Sequence, residues 1–98
     1  MTVRWSDEAK ARVKEIYDYI AQDNRKAAEQ TLERVLLAVD QLEHFPLVGR
    51  TGRVAGTREL VIASTPYLAV YRVKRGEVQV LTVAHGAQSW PTRFPRMQ

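Results

Sequence analysis

Residues 56–73 read "GTRELVIASTPYLAVYRV" and, after one short turn, residues 77–91 read "EVQVLTVAHGAQSWP". Three runs within them, "TRELVIA", "YLAVYRV" and "EVQVLTVAH", are rich in β-branched and aromatic residues and are separated only by "STP" and "KRG". Such runs read as strands, and connections this short join neighbours in antiparallel order. A tight hairpin centred near Thr65 sets Arg58 opposite Arg72, Leu60 opposite Val70 and Ile62 opposite Leu68. With Arg75-Gly76 as the next two-residue turn, Val73 opposes Val78, Arg72 opposes Gln79, Tyr71 opposes Val80 and Tyr67 opposes Ala84. His85 then lies near Pro66, roughly 20 Å from Arg72 at about 3.3 Å per residue. That is too far for the two side chains to act on one reacting atom.

Upstream, "TVRW" is a short strand candidate, and Ser6 after it is a good helix N-cap with Asp7 and Glu8 in the first turn. Ala9, Val13, Ile16, Tyr17 and Ile20 recur at helical spacing, so a first amphipathic helix ends near Ala21. Asp23 or Asn24 caps a second, whose stripe runs Ala28, Leu32, Val35, Val39, Leu42 and which stops before Pro46. So short a connection makes the helices antiparallel neighbours. Tyr17, Tyr19 and His44 lie on or near the stripes and are expected to pack there. "PLVGRTGRVAG" holds three glycines and one proline with no period, and is expected to be a loop. The order βααβββ predicts a single α+β domain over 1–98, a two-layer fold with a helical hairpin packed on a small antiparallel sheet.

The 98 residues, 45% of them hydrophobic, suffice for one modest core. No cysteine is present, which excludes a disulfide framework and a thiolate metal site. Neither a leader peptide nor a membrane span is expected, the longest aliphatic run being "VLLAV", so the chain reads as soluble, mature and cytoplasmic. Residues 1–45 carry seven basic and nine acidic groups, a balance of −2, whereas 46–98 carry eight and two, a balance of +6. A basic half suits nucleic acid, a machine bound to nucleic acid, or an acidic protein partner; the alternative is a solvated face that only aids solubility. His44 and His85 have no cysteine or close carboxylate companions at ligand spacing, so neither a metal nor another cofactor is expected. "GRTGRVAG" is followed by no helix and lacks the lysine of a phosphate loop. Trp90 in "SWP" could stack on a base or pack on an edge.

The βααβββ order, "FPLVGR" after the second helix, "GTREL", "PYLAVYRV" and a last strand ending "VAHGAQSWP" together resemble the ParE/RelE superfamily, the toxins of bacterial type II toxin-antitoxin modules. The resemblance covers nearly the whole chain. It implies two alternative activities on one fold. RelE-like members cleave mRNA in the ribosomal A site by attack of a 2′-hydroxyl on the adjacent phosphate, which needs cations and a proton acceptor and donor. ParE-like members instead poison DNA gyrase. In RelE-like ribonucleases an arginine begins the strand before the last; aligning on "AVYRV" puts Leu68 there. A second arginine, shortly after the last strand, falls at or near Gln88. Both expected cations are missing, and the extended helical hairpin resembles ParE.

The expectation is therefore a gyrase-directed toxin whose target-binding residues are Arg58, Tyr71, Arg72, His85 and Trp90. The alternative is an mRNA interferase using Arg58, Arg72, His85 and Arg93 as a rebuilt phosphate site. A third reading is a non-toxic basic module that binds nucleic acid. On a purely structural reading, Arg58 and Arg72 brace the sheet against the Gly49–Gly56 loop, and His85 caps the strand end. The resemblance also implies a cognate antitoxin, ParD- or RelB-like, that forms an oligomeric complex by packing an amphipathic helix or strand beside the helical hairpin. The basic half suits an acidic inhibitor.

Overall fold

Both helices begin where their caps place them. Ser6 Oγ accepts from the Ala9 amide at 3.0 Å and opens α1 (Asp7–Ala21), and Asn24 Oδ1 accepts from the Ala27 amide at 3.0 Å to open α2 (Arg25–Asp40). A 3₁₀ turn, Gln41–Glu43, extends α2 towards Pro46. The computed structural model describes residues 1–88, 91 and 93–97. Its strands are β1 (Thr2–Trp5), β2 (Arg50–Thr51), β3 (Arg58–Val61), β4 (Tyr67–Lys74) and β5 (Glu77–His85), in the spatial order β1-β5-β4-β3-β2.

The α+β two-layer arrangement stands, with two changes to the sheet. The chain passes from β1 through both helices to the far edge, then returns strand by strand, so β5 arrives beside β1 in parallel and the sheet is mixed. The glycine-rich segment also supplies a short edge strand, β2, paired antiparallel to β3. Residues alternating along β3, β4 and β5 meet the helices. Tyr71, Ala69, Val78 and Val80 share a buried cluster with Ala9, Val39 and Leu42, while Ile62 and Val83 meet Val35, and Trp5 packs against both clusters. Of the expected stripes, Ala28, Val35, Val39 and Leu42 are buried. Tyr19 is 72% exposed, so it does not pack as the stripe suggested.

The register differs from expectation at two points. Arg58 opposes Tyr71, not Arg72, and Leu60 opposes Ala69. The cause is a four-residue loop, 63–66, closed by the Ile62 amide on the Tyr67 carbonyl at 3.1 Å, with Ser64 at φ 64°. A slip of one residue exchanges the faces, so Arg58 and Arg72 lie on opposite sides of the sheet. Between β4 and β5 the pairs Arg72–Gln79 and Tyr71–Val80 are as expected, but the next pair is Val70–Thr82. Leu81 is thus the extra residue of a bulge, and Tyr67 opposes His85 instead of Ala84. Arg75 and Gly76, at φ 55° and 75°, make the two-residue turn with both residues left-handed.

Candidate functional site

The sheet face turned away from the helices carries a polar row. Arg72 Nε donates to Gln79 Oε1 at 2.9 Å, Gln79 Nε2 donates to Glu77 Oε1 at 2.8 Å, and Arg4 reaches the same carboxylate at 3.5 Å. Arg72 Nη2 also donates to the Pro95 carbonyl at 3.0 Å, so the tail crosses this face, where Phe94 and Met97 line a cleft of about 330 Å³ with Arg4, Trp5 and Leu81. Arg72 therefore braces the tail, not the Gly49–Gly56 loop.

Arg58 does hold that loop. Its Nη1 donates to the Gly49 carbonyl at 2.8 Å and the Leu47 carbonyl at 3.2 Å, while the Gly49 amide donates to Tyr71 Oη at 2.9 Å. Tyr71 is wholly buried, and burial pushes its phenol above the usual tyrosine range against smaller opposing effects of the Gly49 bond and the Arg58 charge. Tyr71 offers no surface to a partner; what it can influence is the loop above it. Glu59, 2% exposed, accepts from Arg50 Nη2 at 3.0 Å and the Arg53 amide at 2.8 Å, with Arg53 Nε 3.5 Å away. Arg53 Nη1 carries the clamp across the sheet to the Gly86 carbonyl at 3.0 Å.

His85 belongs to another place. Five residues of β4 separate Tyr67, its partner, from Arg72, about 17 Å at 3.3 Å each, and the imidazole projects on the helix side against the Tyr67 ring at 5.9 Å. Its Nδ1 accepts the Ala87 amide at 3.1 Å, which in the neutral ring leaves the proton on Nε2. His85 so held presents a donor rather than a base. Gln88 accepts from the His85 amide at 2.8 Å and from Arg12 at 3.4 Å, and these residues with Tyr19 and Tyr67 line a cleft of about 380 Å³. Leu68 is buried within the sheet. Arg93 is exposed in the tail, and Trp90 lies outside the described residues.

The structure thus brings Arg58 and Tyr71 together and leaves Arg72 and His85 apart. Among the described residues no group of three or more His, Cys, Asp or Glu side chains could hold a metal, and no helix is long and apolar enough to cross a membrane. The Glu59 clamp and Gly49 were missed in the sequence. Glu59 and Glu77 are the two acids of the basic half, a signal that each has a cation to hold.

Three comparisons bear on this arrangement. A family described as "ParE toxin of type II toxin-antitoxin system, parDE" matches residues 3–90. A Sinorhizobium fredii protein named "Putative toxin Y4kP" is 45% identical over 89 residues, 91% of this chain and 92% of the relative. Among solved structures, a chain of a chromosomal ParDE toxin-antitoxin system from P. aeruginosa superposes with a TM-score of 0.78 at 28% identity, covering 87% of this chain and 95% of that one. A chain of the RelBE2 toxin-antitoxin complex from Mycobacterium tuberculosis shares the fold with a TM-score of 0.61 at 24% identity, covering 86% and 95%.

Proposed function

Because this chain belongs to the ParE toxin family of type II toxin-antitoxin systems, we propose that it arrests growth by ParE-like inhibition of DNA gyrase and is neutralised by a cognate antitoxin. The observation that carries the choice of target is the scatter of the candidate catalytic groups. Cleavage of RNA at a phosphate requires cations and a proton donor and acceptor within hydrogen-bond reach of one reacting centre. Here Arg58 is spent on the carbonyls of Leu47 and Gly49, Arg72 on Gln79 and Pro95, and His85 faces the side of the sheet opposite Arg72 with Nδ1 occupied. By the resemblance, Leu68 stands where the ribonucleases place one arginine, and Gln88 at or near the place of the second.

On this reading the basic half serves recognition. Arg58 and Tyr71 shape the loop at residues 47–49, Arg72 and His85 add polar groups on opposite faces of the sheet, and Trp90, outside the described residues, keeps the target-binding role expected from the sequence. The antitoxin has a fitting place beside the helical hairpin, where Leu36 and Leu37 of α2 are 48% and 58% exposed next to Val3 and Trp5 of β1.

Expression in bacteria separates the targets. Gyrase poisoning predicts chromosomal double-strand breaks and induction of the DNA-damage response, with uncut mRNA. Codon-positioned mRNA cleavage without DNA breaks would overturn the gyrase assignment.

A further inference from the structure

Single exposed apolar side chains are ordinary, but three within four residues are not. Phe45, Leu47 and Val48 are 65%, 62% and 56% exposed. The segment is fixed with these side chains outward. The Phe45 amide donates to the Gln41 carbonyl at 2.9 Å and the Val48 amide to the Phe45 carbonyl at 3.2 Å. Arg58 holds the carbonyls of Leu47 and Gly49, and the buried Tyr71 hydroxyl holds the Gly49 amide. No Cβ fits at Gly49, since one would stand 2.6 Å from Tyr71 Oη. The backbone beneath the three side chains is therefore tied on one flank to the turn after α2 and on the other to the sheet.

We propose that the Phe45–Val48 loop is the surface through which the toxin docks on its target, and that the matching face of that target is protein, an apolar recess bordered by carboxylates. This rests on the gyrase reading above. The charge of the flank selects the partner. Arg50, Arg53 and Arg58 follow the loop in sequence or hold its carbonyls, and among the described residues Arg50 and Arg53 pair with the buried Glu59 while their side chains remain 58% and 41% exposed. A second copy related by a two-fold axis would set these guanidiniums against their own counterparts. Nucleic acid is a poor match for the loop itself, because none of the three side chains supplies charge for phosphate and only Phe45 offers a π-face for a base. The chain's own tail is engaged elsewhere, at Arg72.

The test compares a triple variant, Phe45→Ser with Leu47→Ser and Val48→Ser, with Val61→Ser, which removes an equally exposed apolar side chain (55%) outside the loop. Three readouts are taken: the toxin concentration that inhibits supercoiling by purified gyrase, growth arrest on induction, and the melting temperature. The triple variant is expected to melt as the wild type does, to inhibit gyrase at least about tenfold more weakly, and to lose growth arrest, while Val61→Ser behaves as wild type. If the triple variant does not fold, Phe45→Ser alone carries the comparison. Full inhibition and arrest by a loop variant with native melting overturns the proposal. If the wild type arrests growth without touching gyrase, the gyrase reading fails separately, and retained arrest by the loop variant still decides against the loop.

Discussion

At residue scale, the contact that organises the basic half is the one between Gly49 and Tyr71. A methyl at position 49 would lie 2.6 Å from Tyr71 Oη, 2.7 Å from Cε1 and 3.0 Å from the Glu59 carbonyl, so ring and backbone must both give way. Gly49→Ala is expected to lower stability by about 1–3 kcal/mol in urea unfolding, the usual cost of overfilling a packed site. Tyr71→Phe keeps the ring and leaves the Gly49 amide without its acceptor, which costs about 1–3 kcal/mol for a buried donor. The tyrosine also dictates behaviour in base. Its pKa is raised on folding, so its contribution is complete below the unfolded tyrosine value of about 10 and is lost as pH rises through the folded value. Unfolding free energy should therefore fall above about pH 10, and the part of that fall due to Tyr71 should be absent in Tyr71→Phe; an identical alkaline profile for the two proteins would contradict this.

At the scale of elements, the loop after α2 is held by Glu59. Its two arginine partners are half in solvent, which reduces the value of the ion pairs, but the Arg53 amide bond is sheltered. Glu59→Gln is expected to cost about 1–2 kcal/mol and to speed amide exchange at Arg53 while leaving exchange in β5 unchanged. Gly76→Ala at φ 75° should cost roughly 1 kcal/mol, read as a lower urea midpoint, by forcing a side chain into the left-handed turn. The helices were legible because their determinants are local: Ser6 and Asn24 cap, and the stripes keep a 3.6-residue period. The pairing of Arg58 was not legible. It depends on Thr65 Oγ1, which donates to the Ile62 carbonyl at 2.9 Å and accepts from the Tyr67 amide at 3.1 Å, closing a loop of four residues where symmetry about Thr65 suggests an odd number. The bulge at Leu81 was equally hidden, since a continuous apolar run carries no mark of which residue lacks a partner.

For the whole molecule, the split of charge along the chain becomes a split in space only in part. Much of the basic half is engaged inside the fold: Arg58 and Arg72 hold carbonyls, and Arg50 and Arg53 hold Glu59. The sequence pattern located these cations without showing what they grip, because backbone carbonyls as partners leave no trace in composition. Among the groups facing outward are the apolar Phe45–Val48 loop and the half-exposed Arg50 and Arg53 beside it, which on the proposed reading bind a protein. Purified toxin assayed in parallel on gyrase supercoiling, with cleaved DNA scored, and on mRNA in programmed ribosomes tests this most directly. Trapped double-strand breaks and intact message are expected; codon-positioned cleavage with normal supercoiling would contradict the gyrase reading.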